Sequence, residues 1–167
     1  MNMEIVLLAL GSNLGDREGI LCFARQAVAE LPATELLGSS SLYETDPVGG
    51  PLDQPPFLNA VLHLKSALAP YDLLTVTQDM EQAMRRERHE HWGPRTLDVD
   101  ILFFGERVNN DPQLVLPHPR LAARRFVLVP LCDLVPDLKH PLLGLTAKEL
   151  LAACPDAGHV RLFKKEW

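Results

Sequence analysis

The stretch F-L-N-A-V-L-H-L-K at residues 57–65 alternates residue by residue, and this alternation decides the fold. All four even-numbered positions are apolar, whereas the odd-numbered positions include Asn59, His63 and Lys65. Because side chains two residues apart on a β-strand point to the same side, the stretch predicts a strand with one face toward the core. Phe57 and Asn59 then lie together on the other face.

Further strands and helices are predicted on both sides of this stretch. Short apolar or alternating runs predict strands at residues 4–10, 36–45, 96–104 and 160–163. Helical spacing predicts helices over residues 17–31 and from Pro70 onward, and the capping box Thr146-x-x-Glu149 predicts a late helix. Some strand connections are too short for a crossover, so the pattern indicates an α+β sandwich of a mainly antiparallel sheet flanked by helices. No linker divides the chain, and residues 1–167 are expected to form a single domain.

The predicted helix that starts at Pro70 has two distinct faces. Its apolar stripe consists of Leu73, Val76, Met80 and Met84. The opposite face carries Gln78, Glu81 and Arg85. These three polar side chains are therefore expected to point away from the core.

Two connections have the composition of irregular structure. The segment D-P-V-G-G-P-L-D-Q-P-P at residues 46–56 contains four prolines and two glycines, which predicts an irregular loop. The segment G-S-N-L-G-D at residues 11–16 matches neither the dinucleotide-binding glycine pattern nor the P-loop. It is typical of a strand-to-helix turn, with Asn13 or Asp16 as the helix cap.

Composition excludes several classes of protein. With 47% hydrophobic and 23% charged residues, the 167-residue chain resembles an ordinary globular protein, and no apolar run approaches the roughly 18 residues of a membrane span. The net charge of −6 disfavours broad contact with nucleic acid or anionic lipid. The N-terminus lacks the pattern of a signal peptide, so a cytoplasmic location is expected. The three cysteines are widely spaced, which favours reduced thiols over disulfides or a zinc site.

Arginine is concentrated between residues 85 and 125. This segment holds eight of the 16 basic residues, all of them arginine, and six of the 22 acidic residues, a local balance of +2. The planar guanidinium group suits bidentate contact with phosphate or carboxylate, so a small anionic ligand is one interpretation. A solvated helix end with surface loops is the other, and charge alone favours it.

The pattern D-V-D at residues 98–100 is the sharpest local feature. On a strand, Asp98 and Asp100 share one face, while Leu97, Val99 and Ile101 point into the core. Two adjacent carboxylates repel each other unless a cation lies between them, and hard oxygen ligands favour magnesium. Solvated outer positions of a half-exposed strand are the alternative. Arg95 in the preceding turn adds a guanidinium group, a combination typical of phosphoryl transfer.

Aromatic and histidine residues supply a second group of candidates. Phe57 and Asn59 could stack on a flat heterocycle and hydrogen-bond its edge, with Phe126 as the opposing aromatic, although such a pair is more often ordinary sheet surface. His118 lies between two prolines in L-P-H-P-R. A single histidine of this kind is more often structural than catalytic.

Four segments together resemble the 6-hydroxymethyl-7,8-dihydropterin pyrophosphokinase family of folate biosynthesis. They are G-S-N-L at 11–14, F-L-N-A at 57–60, W-G-P-R-T-L-D-V-D-I at 92–101 and L-P-H-P-R-L-A-A-R-R-F-V-L at 116–128. The resemblance runs in order along nearly the whole chain. It implies a ferredoxin-like α+β fold and an enzyme that transfers pyrophosphate from ATP to the pterin hydroxymethyl group, releasing AMP.

The resemblance also implies roles for individual residues. Asp98 and Asp100 would hold two magnesium ions and, with Arg85 and Arg95, form the catalytic set. The pterin would contact Thr45, Pro47, Val48, Phe57, Asn59 and Phe126. ATP would contact Gln78, Glu81, Arg85, Arg88, Trp92, Arg95, Ile101, His118 and Arg124. The register of residues 85–91 leaves Arg86 and Arg88 interchangeable, and Pro119 and Phe57 replace tyrosines found in some relatives.

Two other functions stay open from the residues alone. One is a D-x-D magnesium-dependent nucleotidyltransferase that releases pyrophosphate, and the other is a non-catalytic nucleotide-binding module. The expected partners are the small molecules ATP and 6-hydroxymethyl-7,8-dihydropterin. Neither nucleic acid nor membrane is expected as a partner, and the protein is expected to be a monomer.

Overall fold

The computed structural model describes residues 2–47, 50, 53–84 and 96–167. The strands within these residues are β1 (Glu4–Ser12), β2 (Thr34–Ser39), β3 (Leu42–Thr45), β4 (Phe57–Ser66), β5 (Asp98–Phe104) and β6 (Val160–Lys164). The helices are α1 (Arg17–Ala29), α2 (Pro70–Ala83), α3 (Arg125–Leu134) and α4 (Ala147–Ala152), with a short 3₁₀ helix at Leu121–Ala123. None of the described helices is long and apolar enough to cross a membrane.

The described strands form one sheet with β4 at its centre. One edge of β4 pairs with β1, which also pairs with β5. The other edge pairs with β2 and β3 in succession, and β6 pairs with β3. All of these pairings are antiparallel, which confirms the predicted α+β class with a mainly antiparallel sheet.

Apolar side chains cover both faces of the sheet. Even-numbered residues of β1 and β4 pack with α1 and α2 on one face, as the alternation at 57–65 predicts. On the other face, Leu7, Val61 and Phe103 pack against residues of α3 and α4. The prediction of a single core face is therefore wrong at Val61, which has an exposed fraction of 0%. The cause is α3, which covers this face and is absent from the predicted elements. Pro130 lies inside this helix, and proline normally interrupts a helical pattern.

The predicted strand at 36–45 is two strands separated at Ser40 and Ser41. The Ser40 N–H donates to the Val61 carbonyl (2.9 Å), and the Ser40 hydroxyl accepts from the Val61 N–H (2.8 Å). The Trp167 indole N–H donates to the Ser40 carbonyl (2.8 Å). Side-chain bonds thus supplement the backbone bond at the break, and β2 and β3 follow the same edge of β4 in the same antiparallel direction.

Two helix caps agree with the sequence. Asp16, one of the two candidate caps, accepts a hydrogen bond from the Gly19 N–H (3.1 Å) at the start of α1. Both reciprocal bonds of the capping box between Thr146 and Glu149 are present at the start of α4. Local sequence chemistry therefore sets these two helix starts.

A side-chain bond ties β3 to the end of α3. The Tyr43 hydroxyl donates to the Asp133 carboxylate (2.7 Å), and the Ser41 N–H donates to the same group (3.3 Å). Burial, together with the hydrogen bond and negative charge of Asp133, raises the pKa of Tyr43 to about 12. The neutral phenol therefore links the two elements over the physiological pH range.

We expect Val61→Ala to lower the free energy of unfolding by about 2 kcal/mol, because it removes two buried methyl groups and leaves a cavity under α3. Urea unfolding monitored by circular dichroism measures the change. Lys65→Ala is the matched control, since Lys65 is exposed on the same strand, and its effect should stay within about 0.5 kcal/mol. Equal effects of the two substitutions would contradict the second packed face.

We expect Asp133→Asn to lower the pKa of Tyr43, because it removes the carboxylate that stabilises the neutral phenol. Absorbance at alkaline pH reports phenolate, and a Tyr71→Phe background leaves Tyr43 as the one tyrosine of the chain. Since the pKa is raised on folding, the contribution of Tyr43 to stability is complete below pH 10 and declines toward pH 12. A midpoint near 10 in the parent background would refute the link.

Candidate functional site

A cavity of about 380 Å³ opens on the face of the sheet that carries α3. β1, β4 and β5 supply its floor, and the end of β3, the 118–120 segment and the start of α3 supply its walls. Among the described residues, its lining consists of Ala9, Leu10, Gly11, Thr45, Asp46, Phe57, Asn59, Ala60, Asp98, Asp100, His118, Pro119, Arg120, Arg124, Phe126 and Val127.

The sheet register aligns the polar residues of the floor. Gly11 pairs with Asn59 on one side and with Asp98 on the other, so the three residues form a row across β4, β1 and β5. Ala9 pairs with Asp100 in the next row. Because neighbouring strands lie about 4.8 Å apart, the backbones at Asn59 and Asp98 are separated by roughly 10 Å. The small residues of β1 leave the space between them open.

The two aspartates share the cavity face, as predicted. Between them Val99 faces the opposite side, and its N–H donates to the Glu81 carboxylate (3.1 Å). Among the described residues, no group of three or more histidine, cysteine, aspartate or glutamate side chains could hold a metal ion. A pair of carboxylates fits magnesium, which commonly takes one or two carboxylates and completes its shell with water and substrate phosphates.

Asn59 is buried and held in one orientation. Its amide nitrogen donates to the Thr45 hydroxyl, which joins the start of β4 to the end of β3. A Cβ atom at Gly11 would lie 3.0 Å from the Asn59 side-chain oxygen. Glycine at this position therefore gives the amide room, and the bond to Thr45 fixes which end of the amide faces Gly11.

Two aromatic side chains line the same cavity from different elements. Phe57 begins β4 and Phe126 lies in the first turn of α3. The Arg124 guanidinium is 5.6 Å from the centre of the Phe126 ring, a cation–π distance. The site thus has apolar surfaces suited to a flat ring beside a polar floor.

His118 faces the cavity as a neutral imidazole. Burial lowers the pKa of His118, the positive charges of Arg124 and Arg120 lower it further, and Asp100 opposes them. The imidazole Nδ1 accepts from the Arg120 N–H (3.2 Å), so in the neutral ring the proton belongs on Nε2. At neutral pH His118 is therefore a hydrogen-bond donor without a charge.

Several predicted site residues do not line the cavity. Pro47, Gln78, Glu81 and Ile101 are absent from its wall, and Ile101 belongs to the core on the other face. The prediction that Glu81 shares an outward face with Gln78 is wrong, because Gln78 is exposed and Glu81 is buried. α2 packs on β5, and Glu81 lies four residues after the buried Thr77 on the same side of the helix. Its carboxylate therefore turns toward the sheet, where it accepts from the Val99 N–H.

Some predicted site residues lie outside the described residues. They are Val48, Arg85, Arg86, Arg88, Trp92 and Arg95. Conversely, the cavity includes Asp46, Arg120 and small residues of β1 that the sequence did not single out as site residues. Arg120 stands in the L-P-H-P-R motif beside His118, a signal that could have identified it. Gly11 likewise stands in the G-S-N-L motif, whereas Ala9 carries no such signal, because its role is the space it leaves.

Comparison with known proteins gives consistent matches over most of the chain. Residues 7–136 match the family described as 7,8-dihydro-6-hydroxymethylpterin-pyrophosphokinase (HPPK). The chain is 50% identical over 160 residues to a 2-amino-4-hydroxy-6-hydroxymethyldihydropteridine pyrophosphokinase of Pseudomonas aeruginosa, covering 96% of this chain and 98% of that protein. It is 43% identical to the protein of the same name from Bacillus subtilis, covering 98% and 92% of the two chains.

A solved structure agrees in fold. The crystal structure of Plasmodium falciparum HPPK-DHPS with pterin and p-hydroxybenzoate superposes with a TM-score of 0.72 at 20% identity. The alignment covers 91% of this chain and 43% of that longer chain. Together with the matched residues and the two bacterial relatives, this shows that the chain belongs to the 7,8-dihydro-6-hydroxymethylpterin-pyrophosphokinase family.

Proposed function

We propose that this protein transfers pyrophosphate from ATP to the hydroxymethyl group of 6-hydroxymethyl-7,8-dihydropterin, with AMP as the second product. As a member of this family, the chain is an ATP-dependent diphosphotransferase of folate biosynthesis. The observation that carries the proposal is one cavity lined by the Asp98 and Asp100 pair, by Asn59 and by two phenylalanines. The carboxylates suit the magnesium-bound triphosphate of ATP, and the amide and the aromatic rings suit the flat heterocycle of the pterin.

The pterin end of the cavity is the part near the start of β4. Phe57 and Phe126 supply apolar rings on which a bicyclic heterocycle can stack. Asn59, oriented by Thr45, presents an amide to the donor and acceptor groups at the ring edge. Pro47 and Val48 belong to this end in the proposal through the family resemblance.

The phosphate end is the part beside β5. Asp98 and Asp100 would hold two magnesium ions, which when bound neutralise the triphosphate and polarise its oxygens. Neutral His118 would donate a hydrogen bond from Nε2 to a phosphate oxygen. Arg124, which also lines the cavity, would add a guanidinium group. Gln78, Glu81, Arg85, Arg88, Trp92, Arg95 and Ile101 complete the ATP contacts proposed from the family resemblance.

The chemical step is an in-line substitution at the β-phosphorus of ATP. The hydroxymethyl oxygen forms a bond to the β-phosphorus, and the bond from that phosphorus to the oxygen bridging the α-phosphate breaks. AMP leaves with that bridging oxygen, and the hydroxyl proton is released. Positioning of the two substrates by the cavity supplies much of the rate enhancement in a reaction of this kind.

Residues 1–167 act as a single pyrophosphokinase domain that works as a monomer in the cytoplasm on small-molecule substrates. A nucleotidyltransferase with the same D-x-D pair is the rival enzyme, and a nucleotide-binding module the rival without catalysis. The reaction products and the activities of the Asp98 and Asp100 variants, given below, distinguish these three functions.

We expect incubation with ATP, magnesium and 6-hydroxymethyl-7,8-dihydropterin to yield AMP and the diphosphorylated pterin in equal amounts. Asp98→Asn and Asp100→Asn should each lower the turnover number at least 100-fold, because each removes a charge that a magnesium ion would require. Ion-exchange chromatography quantifies both products.

Glu35→Gln is the matched control, since it changes an exposed carboxylate on β2 outside the cavity lining, and its activity should stay within twofold of the parent. Release of free pyrophosphate would favour the nucleotidyltransferase. ATP consumption that does not depend on the pterin would contradict the proposal, and so would unchanged turnover in both aspartate variants.

We expect Phe126→Leu to raise the KM for the pterin about tenfold while the KM for ATP changes less than twofold. Leucine keeps an apolar side chain at the start of α3 but removes the ring face, and stacking of a base on an aromatic side chain is worth about 1–3 kcal/mol. Steady-state kinetics with each substrate varied in turn measure both constants. Phe23→Leu, an exposed phenylalanine on α1, is the control, and equal effects on both KM values would refute the assignment.

A further inference from the structure

We propose that Arg17 is a positioning residue that holds Thr45 and Phe57 in place at the pterin end of the cavity. The Arg17 guanidinium Nη1 donates to the Glu44 carboxylate (2.8 Å) and to the Pro56 carbonyl (2.9 Å). These two acceptors directly adjoin Thr45 and Phe57, which pair with each other across β3 and β4. One nitrogen atom thus bridges both ends of the 46–56 connection.

The proline end of that connection needs donors from outside. Pro55 and Pro56 have no N–H group, so this backbone can be held only through its carbonyls. The Asn13 amide donates to the Pro55 carbonyl (3.1 Å), and Arg17 donates to the next one. Asn13 lies in the connection between β1 and α1, and Arg17 is the first residue of α1. This connection and the start of α1 therefore supply the donors that hold the proline backbone.

Besides the Pro56 carbonyl, the Arg17 side chain contacts two neighbours, Glu44 and Phe163. Its side chain is 25% exposed, as is that of Glu44, so the ion pair is partly shielded from solvent. The Arg17 guanidinium carbon is 5.8 Å from the centre of the Phe163 ring on β6. Arg161 approaches the other oxygen of the Glu44 carboxylate (3.6 Å). The guanidinium therefore has little freedom to leave the Pro56 carbonyl.

The consequence for function rests on the proposed pterin site. Arg17 does not line the cavity, so it acts through the backbone on either side of it. Loss of the bridge would free the ends of an eleven-residue connection and loosen the pairing of Thr45 with Phe57. The Asn59 amide, which bonds Thr45, and the Phe57 ring would lose their fixed spacing. Binding of the pterin should suffer more than binding of ATP.

The test compares Arg17→Met with Arg107→Met. Arg107 also pairs with a glutamate, Glu4, and lies 5.5 Å from the centre of a phenylalanine ring, Phe104, but outside the cavity. Methionine keeps much of the apolar stem in both variants and removes the donors. We expect Arg17→Met to raise the KM for the pterin five- to twentyfold with the KM for ATP within twofold, and Arg107→Met to change neither. Arg17→Lys, which keeps a charged donor, should recover part of the pterin affinity.

Hydrogen exchange measured by mass spectrometry provides a readout that does not depend on the reaction. Peptides that contain residues 42–47 and 57–60 should exchange at least tenfold faster in Arg17→Met than in the parent or in Arg107→Met. Unchanged exchange there overturns the proposal whether or not the protein turns over the pterin. In a parent enzyme that is active, equal changes in the two KM values overturn it as well, whereas an inactive parent contradicts the proposed function alone.

Discussion

β4 is hydrogen-bonded along both edges, and this double pairing is the constraint on which the site depends. β1 matches it residue by residue from Ser66 to Leu58, and β2 and β3 share its other edge. Because the side-chain period of a strand is two, a slip of one residue would move Asn59 to the α1 and α2 face and bring Leu58 into the cavity. The paired edges prevent such a slip and fix the row of Asn59, Gly11 and Asp98.

The cavity exists because β1 places small residues between the polar side chains of Asn59 on β4 and of Asp98 and Asp100 on β5. Leu7, nearer the α3 and α4 layer, fills the same face of β1 with a large side chain, whereas Ala9 and Gly11 leave it empty. A Cβ at Gly11 would approach the Asn59 oxygen to 3.0 Å, so even alanine would press on the amide. The small side chains of β1 thus set the volume of the cavity, and the polar side chains of β4 and β5 set its chemistry.

Local patterns predicted the features that depend on neighbouring residues. The strand predicted at 57–65, the shared face of Asp98 and Asp100 and the capping box at Thr146 are all found. Features that depend on distant partners were missed. No helix was predicted at the position of α3, whose apolar side packs on Leu7, Val61 and Phe103. Glu81 looked like a surface residue because its partner, the Val99 N–H, is 18 positions away.

The turn between β1 and α1 shows the same limit most clearly. From the sequence, Asn13 and Asp16 had a sufficient local explanation as alternative helix caps, and Asp16 does serve as one. Asn13 and Arg17 bond instead to residues 27 to 42 positions later. Apart from the Glu44 carboxylate on β3, their acceptors lie on a proline-rich segment. Its Pro55 and Pro56 offer carbonyls without matching N–H donors, so the need for outside donors arises from the chemistry of that distant segment. Residues that satisfy such a need cannot be recognised until the two segments are seen side by side. Here the acceptors of Arg17 directly precede Thr45 and Phe57, which are proposed to hold the pterin.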